Sequence, residues 1–309
     1  MTDLTIIIPH YNTHDLLKKL LDTIPVYDNI QTIVIDDKSD SDIVKLHALR
    51  NDAGFNHVAF LDNTTDKKGA GVCRNIGLES AGGEWVLFAD ADDFFTENFY
   101  SKIEKYFKSE NDVVFFMPTS VILGKNTSGK RHVPYCRMIE NYIKAPDKSN
   151  ELKIRYSFPV PWSKLIRRAL IKRNDVFFDE ILVSNDVMFS AKVGHYMTKF
   201  EISTETIYCA TSNSGSLTKR LNEKNFDIRF SAFIKLHGFL KEMLSENNFK
   251  LLGLSGAAYL YLAFVYRLRL KKMLEIITKM KKNKIKIFEV KRDLNPFLVV
   301  KKILVYGNK

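Results

Sequence analysis

The sequence predicts an α/β protein built on a mainly parallel sheet with a helical C-terminal extension, and three observations carry that prediction. Candidate strands begin near residues 4, 31, 57 and 85, a spacing of about 27 that suits repeated strand–helix–strand units. The fourth, Trp85 to Ala89, is a continuous apolar run of strand length, the pattern of a strand covered on both faces, and it runs directly into Asp90, Asp92 and Asp93. Beyond about residue 220 the periodicity becomes helical throughout, which divides the chain into an α/β domain over 1–220 and a helical region over 221–309.

Taken in order, Leu4 to Ile8 is a first strand ended by Pro9, and His10-Tyr-Asn-Thr13 is a polar turn. Thr13 is placed to cap a helix over about 14–24, where Leu16, Leu17, Leu20, Leu21 and Ile24 fall at helical spacing. Gln31 to Ile35 is a second strand; it exits into Asp36-Asp37-Lys-Ser-Asp40, where Ser39 or Asp40 can cap the next helix. A third strand spans about His57 to Leu61. The polar loop Asp62 to Lys68 comes after it, and a helix from Gly69 to Ala81 stops at Gly82-Gly83. After the acidic exit of the fourth strand, a helix over about 97–108 leads to a strand from Asp112 to Met117, and Thr119 to Asp147 reads as an excursion or flap. Order resumes at Phe158, with prolines before a helix that runs to about Arg173, and Val183 to Phe189 opens another helix. Beyond Tyr208 comes a Ser/Thr/Asn/Gly loop ending at Ser216-Leu-Thr-Lys219, then helices over about 225–246, 250–266 and 267–282.

A chain of 309 residues that is 45% hydrophobic has ample material for a core, which excludes a disordered protein. Cys73, Cys136 and Cys209 are scattered and odd in number, so they suggest neither a disulfide framework nor a zinc site. A strand begins by residue 4 with no apolar leader before it, and a cytoplasmic protein is the expectation. The net charge of +11 is unevenly placed: Arg267 to Lys309 holds 14 Lys/Arg against 3 Asp/Glu, leaving 33 against 33 elsewhere. A basic tail on a neutral body predicts an anionic partner. The tail lacks the interleaved aromatic and basic residues that stack nucleic-acid strands, so an anionic membrane surface ranks ahead of nucleic acid. A solvated helix face, or a helix packed on the body, is the plain alternative. In the 267–282 helix, Leu268, Leu270, Met273, Leu274, Ile277 and Met280 mostly share one side. Leu251 to Tyr266 holds 16 uncharged residues, short of the roughly 20 that a spanning helix needs, which predicts a buried or interfacial helix.

Chemistry concentrates where strands end, which is where open α/β sheets bind ligands. Asp90 and Asp92 are two apart; on extended backbone both side chains point the same way, forming a hard-oxygen pair suited to Mg²⁺ or Mn²⁺ bridging a diphosphate. An acidic turn without an ion is the plain alternative.

Ile6-Ile-Ile-Pro-His-Tyr-Asn12, Val34-Ile-Asp-Asp-Lys-Ser-Asp40, Gly69-Ala-Gly-Val-Cys-Arg-Asn-Ile-Gly77, Phe88-Ala-Asp-Ala-Asp-Asp93, Trp162-Ser-Lys-Leu165 and Asn185-Asp186 occur in that order. As a set they resemble glycosyltransferase family 2, inverting sugar-nucleotide transferases of the GT-A fold, over roughly residues 1–220. The resemblance implies a nucleotide-sugar half over about 1–117 and an acceptor half over about 118–220. It also implies that Pro9 and Tyr11 flank the base and ribose, that Asp37 accepts the imide N–H of a pyrimidine while Asp36 orients the turn, and that Gly69 and Arg74 face the nucleotide or its phosphates. Asp90 would touch the ribose or a metal-bound water, Asp92 would ligate the Mn²⁺ or Mg²⁺, and Asp93 would join them or cap the next turn of chain. Asp186 would be the general base. The family commonly has Glu-Asp where this chain has Asn185-Asp186, so the preceding acid is missing. Lys164 would contact the diphosphate or lie exposed on a helix, and the third protein ligand to the metal is left open.

The implied activity is transfer of a sugar from a nucleotide donor, UDP-linked by expectation, to a glycan or lipid-linked acceptor such as lipopolysaccharide, capsule or teichoic acid. That acceptor would place the enzyme at the inner face of the cell membrane. Two rivals stay open at this point. A sugar-nucleotide nucleotidyltransferase would carry a Gly-rich phosphate loop after its first strand, where this chain has Pro9-His-Tyr-Asn12. A catalytically inactive binding protein on the same fold would have no need for Asp37, Asp90, Asp92 and Asp186 together.

Overall fold

The computed structural model describes residues 2–125, 127–212 and 222–288. Strands β1 (Leu4–His10), β2 (Ile30–Asp36), β3 (Val58–Asp62) and β4 (Trp85–Phe88) pair in parallel in the order β3-β2-β1-β4. Crossover helices α1 (His14–Leu21), α2 (Ile43–Arg50) and α3 (Ala70–Ser80) join them, as the period of about 27 requires. β1 continues through Pro9, whose partner in the ladder is Ile35. The Ile7 carbonyl faces β4 and the His10 carbonyl faces β2, so the Pro9 nitrogen turns toward β4, where the ladder has already ended at Ile7–Phe88. No sheet donor is lost there.

The second half of the sheet departs from the sequence reading. β6 (Val113–Ile122) is parallel to β8 (Phe200–Ser212), and a bulge at Met117–Pro118 absorbs the proline. β7 (Lys164–Arg167) runs antiparallel between β4 and β6 in place of the predicted helix start, and the helix α7 begins only at Arg168. The two-residue β5 (Phe94–Phe95) closes the order β3-β2-β1-β4-β7-β6-β8-β5 on the edge of β8. Instead of a flap, residues 119–147 continue β6 and then form α5 (Val133–Lys144), with Pro134 in its first turn where the missing N–H costs nothing. Cap assignments also change. Thr13 stands at the N-cap of α1 without a side-chain cap bond, and Asp42, not Ser39 or Asp40, precedes α2. The Ser214-Gly-Ser-Leu-Thr-Lys219 loop lies outside the described residues.

α4 (Phe99–Glu104), α6 (Lys148–Tyr156), α7 (Arg168–Arg173) and α8 (Asp186–Tyr196) cover the sheet, and one core cluster runs from Leu4 to Ala210. A second cluster lies in the C-terminal helices α9 (Glu223–Met243), α10 (Glu246–Leu252), α11 (Ala257–Val265) and α12 (Leu270–Lys282). It gathers Phe226, Phe230, Phe233, Ala263, Ile276, Met280 and Ile285. The stretch Glu246–Val265 has the length and composition of a membrane span, but Gly253 in the left-handed region breaks it into α10 and α11. α12 also differs from its expected single apolar side, because Ile276 and Met280 are buried while Leu270 and Leu274 face solvent.

Candidate active site

The exits of β1, β2, β3 and β4 meet at one edge of the sheet, and hydrogen bonds between them hold the loops. Asp36, the last residue of β2, takes His10 Nδ1 at 2.8 Å and the Ser39 amide and hydroxyl. Burial would raise its carboxyl, but the His10 and Ser39 hydrogen bonds prevail and hold it at about 2. This is the turn-orienting part expected of Asp36. Asp37 is buried; one oxygen accepts from Asn63 Nδ2 at 2.7 Å and the other from the Gly69 amide at 2.7 Å. It therefore joins the β2 exit to the β3 exit and to the start of α3. Gly69 has φ +125°, a conformation that an L side chain rarely adopts. Tyr11 stays exposed, its hydroxyl donating to Asp40 at 3.2 Å and its ring under Lys68 Nζ at 5.1 Å, whereas Pro9 is buried within β1.

At the β4 exit, carboxylate oxygens of Asp90, Asp92 and Asp93 lie within 4.8 Å of one another, but the three are not equivalent. Asp93 is fully buried and accepts from the Tyr208 hydroxyl at 2.8 Å and the Thr211 amide at 2.6 Å. The Asp90 amide donates to the same Tyr208 hydroxyl at 2.9 Å. β8 thus pins the acidic loop from beneath, with Trp162 stacked on Tyr208 at 5.4 Å. Burial pushes the Asp93 carboxyl upward, against the pull of Arg131 at 3.5 Å. Asp92 is raised by burial and by its neighbour Asp90. Asp90 and Asp92 are part-exposed hard-oxygen groups, and the neighbouring Arg74 and Arg131 leave Asp92 still raised, so these two are the residues able to hold a divalent cation. Asp93 is committed to structure.

Arg74 is buried and joins this cluster to the segment before α8. One guanidinium nitrogen donates to Asp90 at 2.5 Å and another to Asn185 Oδ1 at 2.8 Å, while the group lies over the Phe178 ring at 5.2 Å. Asn185, standing where the family commonly has an acid, is thus a neutral acceptor that leaves Arg74's charge to Asp90. Asp186 comes next as the first residue of α8, where the helix dipole favours a carboxylate. It also acts electrostatically on Lys164 and Tyr135. The nearby carboxylates Asp179 and Glu180 are each ion-paired, to Lys235 and Lys67.

Lys164 overturns both of its expected positions. It lies in β7, buried, donating to the Phe158 carbonyl at 2.5 Å and Ser190 Oγ at 3.2 Å, and burial pushes its amine down to about 7. It neither lies on an exposed helix nor reaches into open space. Sequence reasoning missed Asn63, Arg131, Tyr208 and Thr211. Asn63 directly succeeds the β3 exit and could have been found by the strand-end rule. The other three are brought in by β8 and by the segment before α5, and no local signal marks them.

These features define a GT-A-type α/β transferase fold with an acidic strand exit. The chain belongs to glycosyl transferase family 2, whose family model matches residues 5–174. Its sequence is 28% identical over 222 residues to the poly(ribitol-phosphate) β-N-acetylglucosaminyltransferase TarS of Staphylococcus aureus, covering 70% of this chain and 36% of TarS. It is also 28% identical to the poly(ribitol-phosphate) β-glucosyltransferase of Bacillus spizizenii over 214 residues, 66% of this chain and 31% of the relative. The chain therefore spans about a third of the length of these two relatives. Among solved structures, S. aureus TarS 1–349 in complex with UDP-GlcNAc superposes with a TM-score of 0.68 at 18% identity, covering 99% of this chain and 89% of that one. The mannosyltransferase PcManGT of Pyrobaculum calidifontis, in complex with GDP-Man and Mn²⁺, does so with a TM-score of 0.62 at 13% identity, covering 99% and 84%. At these identities the superpositions show the shared fold.

Proposed function

We propose that the chain is an inverting glycosyltransferase that moves a hexose or N-acetylhexosamine from a UDP-linked donor to a hydroxyl of a cell-surface polymer. The polyol-phosphate acceptors in the names of its relatives favour the teichoic-acid class over lipopolysaccharide or capsule. The observation that carries the reading is the Arg74 bridge, which ties the acidic cluster through Asp90 to the residue preceding Asp186. A site needing a diphosphate and a base side by side is served by that linkage.

In this reading Pro9 and Tyr11 flank the uracil and ribose. Asp37 keeps lone pairs beyond those used by Asn63 and Gly69, with which it accepts the imide N–H. Gly69 brings the start of α3 close to the nucleotide. A Mn²⁺ or Mg²⁺ held by Asp90 and Asp92 would supply positive charge opposite the leaving diphosphate. Arg131, beside the same carboxylates, adds a fixed cation. Asp186 takes the proton of the acceptor hydroxyl as its oxygen bonds to the anomeric carbon, the bond from that carbon to the diphosphate oxygen breaks, and the configuration inverts. Residues 1–117 would form the donor half, 118–220 the acceptor half and 221–309 a helical appendage. The acceptor class puts the enzyme at the cytoplasmic face of the cell membrane.

The test is a screen of nucleotide sugars for hydrolysis with Mn²⁺ present. UDP release from UDP-GlcNAc or UDP-glucose, absent from GDP- and CDP-sugars, is expected; turnover of none of them overturns the proposal.

A further inference from the structure

The corner between α11 and α12 presents side chains that neither donor binding nor transfer uses. From Gly253 to Leu274 the chain holds four cations, Arg267, Arg269, Lys271 and Lys272, and no carboxylate. Lys272 is consumed internally by Glu223, Asp227 and Glu275. The other three are exposed and have no ion-pair partner among the described residues. Between them stand large apolar side chains that the fold leaves in water: Phe264 is 70% exposed, Leu270 73% and Leu274 56%. Leu270 and Leu274 are four residues apart, so they form one outward stripe on successive turns of α12. The opposite side of the same hairpin is packed, with Ala263, Ile276 and Met280 fully buried.

We propose that this corner seats on an anionic lipid leaflet, Phe264, Leu270 and Leu274 entering the headgroup–acyl boundary while Arg267, Arg269 and Lys271 meet the lipid phosphates. The inference goes beyond the transfer reaction and stands without it. Charge selects the occupant. A second copy would bring the same unpaired cations face to face on a protein of net charge +11. A soluble polyanion would meet the cations but leave the three apolar side chains in water. An anionic bilayer satisfies both, the pattern of an interfacial rather than a spanning element. The break at Gly253 argues against spanning, because it leaves α11 nine residues that rise only about 14 Å against a hydrocarbon core of about 30 Å.

The experiment is co-sedimentation of the full chain with vesicles of phosphatidylglycerol and phosphatidylcholine, or of phosphatidylcholine alone, at low and high salt. The protein should bind the anionic vesicles and be released by salt. Arg267→Gln/Arg269→Gln/Lys271→Gln should weaken that binding about 100-fold, taking about fivefold for each cation near the surface. Phe264→Ser/Leu270→Gln/Leu274→Gln should weaken it about tenfold or more even at low salt. Lys19→Gln/Lys108→Gln/Lys144→Gln, which removes the same charge from exposed sites elsewhere, should change it less than about threefold. Wild-type protein that ignores anionic vesicles overturns the proposal, and so does a control variant as weak as the corner variant. An apolar variant that binds vesicles normally but dissociates an oligomer in light scattering assigns the corner to self-association and also overturns it. Hydrolysis of the nucleotide sugar, expected unchanged in all three variants, reports separately on the proposed reaction.

Discussion

Asp93 is sealed under β8 by Tyr208 and Thr211, whereas Asp90 and Asp92 remain part-exposed beside it, so one run of acids supplies a structural anchor and a pair able to hold a cation. Removing Asp92 should not unfold the protein, because its carboxyl is already raised by burial and by Asp90. Asp92→Ala is expected to keep or raise the melting temperature while abolishing turnover, and calorimetry should show UDP binding that no longer strengthens with Mn²⁺. Undiminished UDP affinity of the wild-type protein in EDTA would remove the metal from the mechanism. Asp186→Asn keeps the shape and removes the basicity; transfer should fall by about 10²- to 10⁴-fold, with donor affinity unchanged. Near-normal transfer would place the base elsewhere.

At the scale of elements, the site depends on how closely α3, β7 and α8 approach one another. A Cβ on Gly71 would stand 2.3 Å from the Asp179 carbonyl and 2.9 Å from Asn185 Cβ, so α3 and the segment leading to Asp186 are in contact through a hydrogen atom. Gly71→Ala should therefore destabilise by about 1–3 kcal/mol and lower turnover by shifting Asp186, readable as a drop in melting temperature alongside kcat. Lys164 holds the 158–162 segment to α8 through the Phe158 carbonyl and Ser190. Its amine releases its proton at about 7 when folded and at 10.5 when free, so between those values the unfolded chain binds more protons and stability rises with pH. Urea unfolding at pH 7 and pH 9 should show that rise in the wild-type protein and lose it in Lys164→Met. An equal slope in the variant would mean that another group titrates.

Across the whole molecule, two cores succeed one another along the chain, and the basic C-terminal region takes part in the second. Ending the chain after Tyr266 would strip Ile276, Met280 and Ile285 from Phe226, Phe230 and Ala263. The truncated protein is expected to aggregate or to show a melting temperature lowered by several degrees. A soluble, fully stable truncation would make α12 a mere appendage. Within the described part of the basic tail, residues 267–288, Ile276, Met280 and Ile285 are thus packed while Leu270 and Leu274 face water.

Residue periodicity alone determined the first four strands, their crossover helices, the parallel sheet and the acidic exit of β4, because short-range patterns of burial and turn chemistry decide each βα unit locally. The same ordered motifs named the family, and with it Asp37, Asp90, Asp92 and Asp186. Tertiary structure alone decided the rest. Lys164 reads as a polar surface residue until β7 is drawn antiparallel between β4 and β6. Tyr208 has no meaning until β8 slides beneath the acidic loop, 115 residues from Asp93 in sequence. Asn185 looks like a lost acid until Arg74, 111 residues away, is found donating to it. Such pairings depend on where long loops return the chain, and sequence periodicity extends only over neighbouring turns and strands.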